Sequence, residues 1–158
     1  IIKLAGKSRQ VVRLARLRSV SQTEQLTYRM IVREIPEAKP NKGDLQLQIA
    51  IAFSLPVFIT PPKAKFVLNC TAERTAADTV KTVCENTGNA YAQIIDLELT
   101  NPEGVKLASR DTGGYILPTV KRNFDIKSAN HPIPSGNAKL TVRLDDGTKQ
   151  AFDVMLAE

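Results

Sequence analysis

The chain has 158 residues, of which 42% are hydrophobic, 24% charged and 5% aromatic, with a formal net charge of +6. This balance is typical of a globular protein with a buried core and excludes intrinsic disorder. No apolar run approaches the roughly 20 residues of a membrane-spanning helix, so we expect no direct membrane insertion. The positive charge favours acidic partners without selecting nucleic acid.

The first residues, Ile1 and Ile2, are neither an initiator methionine nor a signal peptide with basic, apolar and small-residue regions. We therefore expect a processed or partly represented sequence. Localisation has to be inferred from other features.

Apolar residues alternate with a period of two along most of the chain, which is typical of β-strands. Asp146-Gly147 predicts a tight hairpin because both turn positions favour positive φ. Residues 72–80 are interpreted as a loop. The pattern predicts strands over residues 11–18, 26–34, 45–53, 66–71, 79–85, 90–99, 139–144 and 148–156. Many short strands separated by turn residues predict an all-β sandwich.

A domain boundary is predicted at Pro61-Pro62, because two prolines stiffen the backbone and remove two hydrogen-bond donors. Residues 63–158 are about the size of one immunoglobulin-like sandwich. Residues 1–62 are too few for another such sandwich and are expected to hold about four strands. We expect the missing strands either to precede Ile1, which we favour, or to come from another chain.

The longest alternation runs from Leu45 to Phe53 and continues into Leu55-Pro56-Val57-Phe58-Ile59. Large apolar side chains occupy every odd position, and small or polar ones every even position up to Ala52. One interpretation is an ordinary core strand. The other is an edge strand that pairs with a partner, since a long unpaired edge is otherwise an aggregation hazard.

Cys70 and Cys84 lie on consecutive predicted strands with thirteen residues between them. If these strands are antiparallel neighbours, the cysteines can form a disulfide, which would indicate an oxidising compartment. Two free buried thiols are the alternative. Their spacing fits neither a redox motif nor a metal site.

No constellation for catalysis is present, so we expect no enzyme, no cofactor and no metal site. His131 lies in an irregular Pro-rich segment without a nucleophile motif. The basic run of Arg13, Arg16 and Arg18 lacks nearby aromatic residues and a recognition helix, so we expect no nucleic-acid partner. The run fits a solvated strand face or a site for a carboxylate partner.

Several segments in the same order resemble the periplasmic chaperones of chaperone–usher pilus assembly. They are Arg33-Glu34-Ile35-Pro36, the alternating Leu45–Phe53 segment, Leu55–Pro61, Glu85-Asn86-Thr87-Gly88-Asn89-Ala90 and Tyr115-Ile116-Leu117-Pro118. Tyr28-Arg29 and Ser54–Phe58 resemble the archaic branch of this family. The resemblance covers essentially the whole chain.

This resemblance implies two immunoglobulin-like domains, 1–62 and 63–158, with the first lacking its N-terminal strands. It also implies a periplasmic location, where a disulfide persists. The implied partners are pilin subunits and an outer-membrane usher. A generic immunoglobulin-like adhesion or scaffold module without chaperone activity is the alternative.

The mechanism implied by the resemblance is donor-strand complementation, in which the chaperone lends an edge strand to a pilin with an incomplete sandwich. The implied donor residues are Leu45, Leu47, Ile49, Ile51 and Phe53. The family anchors the pilin carboxylate with an Arg on its first strand and a Lys whose position is Pro56 here. We therefore name Arg13 and Arg29 as anchor candidates. The resemblance also implies Ile35 and Pro36 as usher-contact candidates.

Overall fold

A computed structural model describes residues 2–17, 23–36, 49–129 and 131–157. These ranges contain strands and no helix, which confirms the predicted all-β class. The strands are β1 (Leu26–Arg33), β2 (Ala52–Ile59), β3 (Leu68–Ala76), β4 (Thr79–Asn86), β5 (Ala92–Thr100), β6 (Lys106–Arg110), β7 (Gly114–Ile116), β8 (Lys121–Lys127), β9 (Gly136–Leu144) and β10 (Lys149–Leu156).

Strands β3 to β10 form one hydrogen-bonded sheet in the order β10-β9-β5-β6-β8-β4-β3, with β7 also paired to β5. Strands β6 and β8 meet only at the pair Ser109 and Lys127. This narrow junction lets the sheet fold into two layers, β10-β9-β5-β6 and β8-β4-β3. The result is an immunoglobulin-like β-sandwich, as the strand pattern predicts.

The core lies between these two layers. Alternate residues of β4 point inward and are buried, namely Val80, Thr82, Cys84 and Asn86. Alternate side chains of a strand project to opposite faces, so one face of β4 supplies the core and the other stays partly exposed. The largest fully buried apolar side chains are Phe124, Ile94, Leu97, Leu99, Ile116, Ile126, Ile133, Leu140, Leu144 and Leu156.

The hairpin between β9 and β10 is confirmed. Gly147 has φ of +83° and donates its N–H to the carbonyl of Leu144 at 3.0 Å. Asp146 Oδ1 accepts hydrogen bonds from the backbone N–H and hydroxyl of Thr148. These bonds to Thr148 lower the pKa of the Asp146 carboxyl, because they stabilise its charged form.

The loop predicted for residues 72–80 is wrong. Strand β3 continues to Ala76 and β4 begins at Thr79. A register shift between Arg74 and Ala76 places an irregularity in the pairing just before the turn. Arg74 donates to the carbonyl of Ile133, so a contact distant in sequence supports a segment with weak strand propensity.

The strand predicted over residues 11–18 is also wrong for its described part, since residues 11–17 lie outside any strand. Val11, Val12, Leu14 and Leu17 are exposed. Within the described ranges no strand pairs with this segment, and strand geometry requires a hydrogen-bonding neighbour. Arg18 falls outside the described residues.

Strands β1 and β2 form a separate antiparallel pair, which we call the β1–β2 ribbon. Leu26 lies opposite Ile59 and Arg33 opposite Ala52. The prediction of a strand over residues 26–34 is thus confirmed within one residue. The strand predicted over residues 45–53 begins at Ala52 instead, and residues 45–48 lie outside the described part of the chain.

The predicted boundary Pro61-Pro62 lies between the ribbon and the eight-stranded sheet, which begins at Leu68. Pro61 is buried, whereas its neighbour Pro62 is exposed. Among the described residues, no helix is long and apolar enough to cross a membrane.

Candidate binding surface

One face of the β1–β2 ribbon is entirely apolar. Residues paired across an antiparallel ladder project to the same side, so the register assigns each side chain to a face. This face, which we call the apolar face, consists of Leu26, Tyr28, Met30, Val32, Phe53, Leu55, Val57 and Ile59. The opposite face is mixed and consists of Thr27, Arg29, Ile31, Arg33, Ala52, Ser54, Pro56 and Phe58.

Much of the apolar face is accessible to solvent. Phe53 is 56% exposed, and Tyr28, Val32 and Leu55 are exposed as well. Ile49 and Ile51, which precede β2 with the same odd numbering, are 71% and 51% exposed. A contiguous row of large apolar side chains at a surface marks an interaction site or an aggregation hazard.

The segment that leads into β2 follows the same backbone ladder. The N–H of Glu34 donates to the carbonyl of Ile51 at 2.8 Å, and the N–H of Ile51 donates to Glu34 Oε2 at 3.1 Å. Residues 49–51 precede β2 in the chain. Hydrogen bonds nevertheless already join Ile51 to Glu34, the residue directly after β1. This attachment holds Ile51 next to Phe53.

Pro56 interrupts the row of backbone hydrogen-bond donors on the outer edge of β2, which is the edge that faces away from β1. Because Glu34 and Ile51 bond directly, odd residues of β2 direct their backbone groups toward β1, and even residues direct theirs away. The nitrogen of Pro56 thus faces away from β1, where a missing donor costs no ladder bond. Within the described residues β2 pairs with β1 alone. An added strand would find donors at Ala52 and Ser54 but none at Pro56.

A groove of about 490 Å³ lies where residues 14–16 approach the ribbon. Its lining is mostly apolar and includes Tyr28, Met30, Val57 and Ile59 from the apolar face. Arg29 lies at its border. Residues 14–16 thus lie beside the end of the apolar face near Ile59, whereas the end near Phe53 is outside this groove.

The two anchor candidates lie in different settings. Arg29 is in the middle of β1, opposite Pro56, and its Nη1 donates to Ser54 Oγ at 3.0 Å. Arg13 is exposed in the segment without strand pairing. The structure therefore places Arg29 beside β2.

The structure describes most of the remaining predicted site residues. Ile35 and Pro36 follow the end of β1 and are exposed, so they are accessible to a partner. Leu45 and Leu47 lie outside the described residues. Of the predicted donor residues, Phe53 is in β2, and Ile49 and Ile51 precede it.

Cys70 and Cys84 form a disulfide. They occupy directly opposite positions of β3 and β4, and both side chains point into the core. The described part of the chain has no free cysteine. The bond joins two neighbouring strands of the same layer.

Asn86 of the Asn86-Thr87-Gly88-Asn89 segment has a structural role that sequence reasoning missed. Asn86 is fully buried, and its Oδ1 accepts from the N–H groups of Val67 and Gly88. Its Nδ2 donates to the carbonyls of Ala90 and Ile116. All four hydrogen-bonding positions of this side-chain amide are thus used. In the sequence this segment was notable for its resemblance to pilus-assembly chaperones, which does not indicate the buried hydrogen bonds of Asn86.

Among the described residues, no group of three or more His, Cys, Asp or Glu side chains is arranged to hold a metal ion. The ion pairs of this part of the chain, such as Lys121 with Glu85 and Arg143 with Asp96, are on the surface. The pKa of Arg143 is raised by its hydrogen bond and charge interaction with Asp96. These pairs lie between neighbouring strands and stabilise the sheet only weakly.

Comparison with known proteins bears directly on the ribbon. Residues 1–65 match the family model described as pili and flagellar-assembly chaperone, PapD N-terminal domain. No curated protein matches the chain. The predicted resemblance to pilus-assembly chaperones is confirmed over residues 1–65, which include the entire ribbon. Assignment to the archaic branch stays a prediction.

Proposed function

We propose that this protein is a periplasmic chaperone that caps pilin subunits by donor-strand complementation and delivers them to an outer-membrane usher. The family match over the ribbon supports a role in pilus assembly. The match to a family of chaperones also favours a non-enzymatic role. The observation that carries the finer proposal is the exposed odd-numbered row of Ile49, Ile51 and Phe53 beside an open strand edge.

Capping by this row has a simple physical basis. A pilin that lacks one strand exposes backbone groups and an apolar groove, and an added strand satisfies both. Full burial of each large apolar side chain contributes roughly 1.5–3 kcal/mol before the cost of ordering. Because Pro56 lacks a donor, the pairing segment ends before it. Leu45 and Leu47 extend the proposed donor row on its N-terminal side.

Arg29 is the proposed anchor for the terminal carboxylate of the pilin. The resemblance places a family Lys at Pro56, and Arg29 is the residue directly opposite Pro56 in the ladder. A guanidinium suits a carboxylate because its donors form a planar fork. Arg13 is the second candidate, and Ile35 and Pro36 are the proposed usher contacts.

The two proposed domains correspond to residues 1–62 and 63–158, with the ribbon in the first and the eight-stranded sandwich in the second. The buried disulfide fits the proposed periplasmic location, since such bonds persist in oxidising compartments. The proposed cycle needs no cofactor. It also has no role for nucleic acid or for insertion into the membrane.

Co-expression with candidate pilins in the periplasm tests this proposal. The wild-type chain should retain a pilin in a one-to-one complex, and Ile49→Arg should lose it because a charge cannot enter an apolar groove without a large cost. The matched control is Ile31→Arg, which changes an exposed Ile on the mixed face. Circular dichroism must show that each variant retains its strands.

Two outcomes would contradict the proposal. If Ile49→Arg retains the pilin as well as wild type does, the odd row is not the donor surface. If no pilin is retained by wild type and Ile49→Arg aggregates, residues 45–53 are a core strand. The scaffold alternative would then account for the ribbon.

A further inference from the structure

The ribbon is attached to the eight-stranded sheet by a specific set of side chains. Phe58, on the mixed face of β2, stacks on Tyr91 with ring centroids 4.2 Å apart and 28° between the ring planes. Its ring also meets Tyr115 edge-on at 5.0 Å, and Tyr91 meets Tyr115 at 5.5 Å. We call Phe58, Tyr91 and Tyr115 the aromatic cluster.

The same end of the ribbon is held through β1. Gln25, immediately before β1, donates its N–H to the carbonyl of Asn89 at 3.0 Å. Its Oε1 accepts from the N–H of Tyr91 at 2.8 Å. Among the described residues before Pro61, Gln25 is the only buried one. Because Gln25 is buried, loss of either bond would leave a polar group of Gln25 unsatisfied. The two bonds therefore hold Gln25 against residues 89–91.

Asn89 connects the segments on both sides of the ribbon. Its Nδ2 donates to the carbonyl of Thr23, before β1, and to that of Lys63, after β2. Its Oδ1 accepts from the N–H of Lys65 at 2.8 Å. One side chain thus ties together the approach to β1 and the segment that leaves β2.

These contacts meet at residues 89–91 from two independent directions. A single connection at Pro61-Pro62 would leave the ribbon able to rotate about that segment, whereas attachment through both strands restrains rotation about more than one axis. The contacts combine ring packing with hydrogen bonds made by Gln25, which is buried, and by Asn89, which is half-buried. Aromatic pairs of this geometry stabilise a contact beyond the effect of the area that they bury.

We infer that Phe58, Tyr91 and Tyr115, together with Gln25 and Asn89, are positioning residues that hold the ribbon in one orientation relative to the eight-stranded sheet. The consequence for pilin capture rests on the proposed function, whereas the fixed orientation does not. Phe58 and Phe53 belong to the same strand but to opposite faces. Strand β2 therefore carries the proposed donor side chain on one face and the attachment on the other.

Nuclear magnetic resonance on the full chain tests the orientation directly. In wild type, backbone N–H residual dipolar couplings from β1–β2 and from β3–β10 should fit one alignment tensor. In Phe58→Ala the two sets should require different tensors. Phe53→Ala is the matched control because it truncates the same residue type on the same strand, and it should keep one tensor.

Substitution at Tyr91 provides a second route that leaves the ribbon residues intact. Tyr91→Ala should lose the common tensor, and Tyr91→Phe should restore it because the ring is retained. With the pilin that wild type retains on co-expression as the probe, Phe58→Ala and Tyr91→Ala should each weaken capture about tenfold. That change corresponds to a binding-competent orientation populated at about a tenth.

The outcomes separate the two proposals. A common tensor in both Phe58→Ala and Tyr91→Ala would overturn the inferred attachment. Loss of the common tensor with unchanged capture would overturn its role in positioning the donor strand. If wild type retains no pilin while the tensors behave as expected, the proposed function fails and the fixed orientation stands.

Discussion

Arg29 lies directly opposite Pro56 in the β1–β2 ladder, and its guanidinium donates to Ser54 two positions away on β2. This pairing places a permanent positive charge beside the one position of β2 that cannot donate a backbone hydrogen bond. The hydrogen bond to Ser54 uses one guanidinium donor of Arg29 and leaves others for a ligand. The relationship is the physical basis for assigning the proposed carboxylate anchor to Arg29.

We expect Arg29→Ala to weaken capture of a co-expressed pilin by about tenfold or more, since a hydrogen bond to a charged group contributes about 1.5–3 kcal/mol. Arg33→Ala is the control, because Arg33 lies on the same face four residues along β1. Competition between wild-type and variant chains for one pilin measures the change. Equal weakening by both substitutions would indicate a general charge effect and would contradict a specific anchor.

The aromatic cluster predicts a dependence of the attachment on alkaline pH. Burial, followed by the negative charge of Asp145 and the neighbouring Tyr115, raises the pKa of the Tyr91 hydroxyl above its ordinary value of 10.0. The folded state therefore favours the neutral phenol. Its contribution is fully present below pH 10.0 and is lost as the pH rises through the folded-state pKa.

Unfolding by urea at a series of pH values between about 8 and 11 checks this dependence, because the slope of stability with pH reports the protons released on folding or unfolding. Wild type should lose stability above pH 10 more steeply than Tyr91→Phe, which has no hydroxyl to titrate. Parallel curves for the two chains would show that Tyr91 does not carry the effect.

Asn86 is expected to be the most sensitive polar residue of the eight-stranded unit. Asn86→Ala removes four hydrogen bonds and leaves the carbonyls of Ala90 and Ile116 without this donor, so we expect a loss of about 2–4 kcal/mol. Asn86→Asp should cost at least as much, although it is nearly isosteric, because an oxygen replaces the donating nitrogen next to both carbonyls.

Urea unfolding measures both changes, with Asn69→Ala as the control at an exposed position of β3. The control should change stability by less than about 0.5 kcal/mol, as surface substitutions usually do. A milder effect for Asn86→Asp than for Asn86→Ala would mean that the hydrogen bonds of Nδ2 are not decisive.

Alternation alone predicted a large part of the fold. It placed the strands around Val83, Leu97 and Val142, and it brought Cys70 and Cys84 to consecutive strands, because burial on one face imposes a period of two. It failed for residues 11–17, where alternation is present without a pairing strand in the described ranges. It also failed for residues 72–80, where pairing between β3 and β4 overrides low propensity.

The attachment of the ribbon could not be predicted in the same way. Phe58, Tyr91 and Tyr115 are distant in sequence, and nothing in the local pattern around any of them identifies the other two. The odd row from Ile49 to Phe53 was visible in the sequence because it is a local pattern. The side chains that restrain the ribbon become apparent only when the strands are placed together.

Thr82 provides a test of packing inside the sandwich. It is fully buried on β4, in register with Phe124 of β8 and Ala72 of β3. Among the described residues, its Oγ1 is the buried side-chain polar atom without a hydrogen-bond partner. A hydroxyl in such a position lowers stability, because it loses its bonds to water on folding and gains none in return.

We therefore expect Thr82→Val to raise the free energy of unfolding by about 1 kcal/mol, since Val has the same branched shape and no polar atom. The increase should appear as a higher urea midpoint with an unchanged m-value. Thr71→Val is the control, because Thr71 is on the exposed face of β3 and its hydroxyl can remain solvated. A loss of stability in Thr82→Val would show that the buried hydroxyl has a partner, such as an internal water, which the substitution removes.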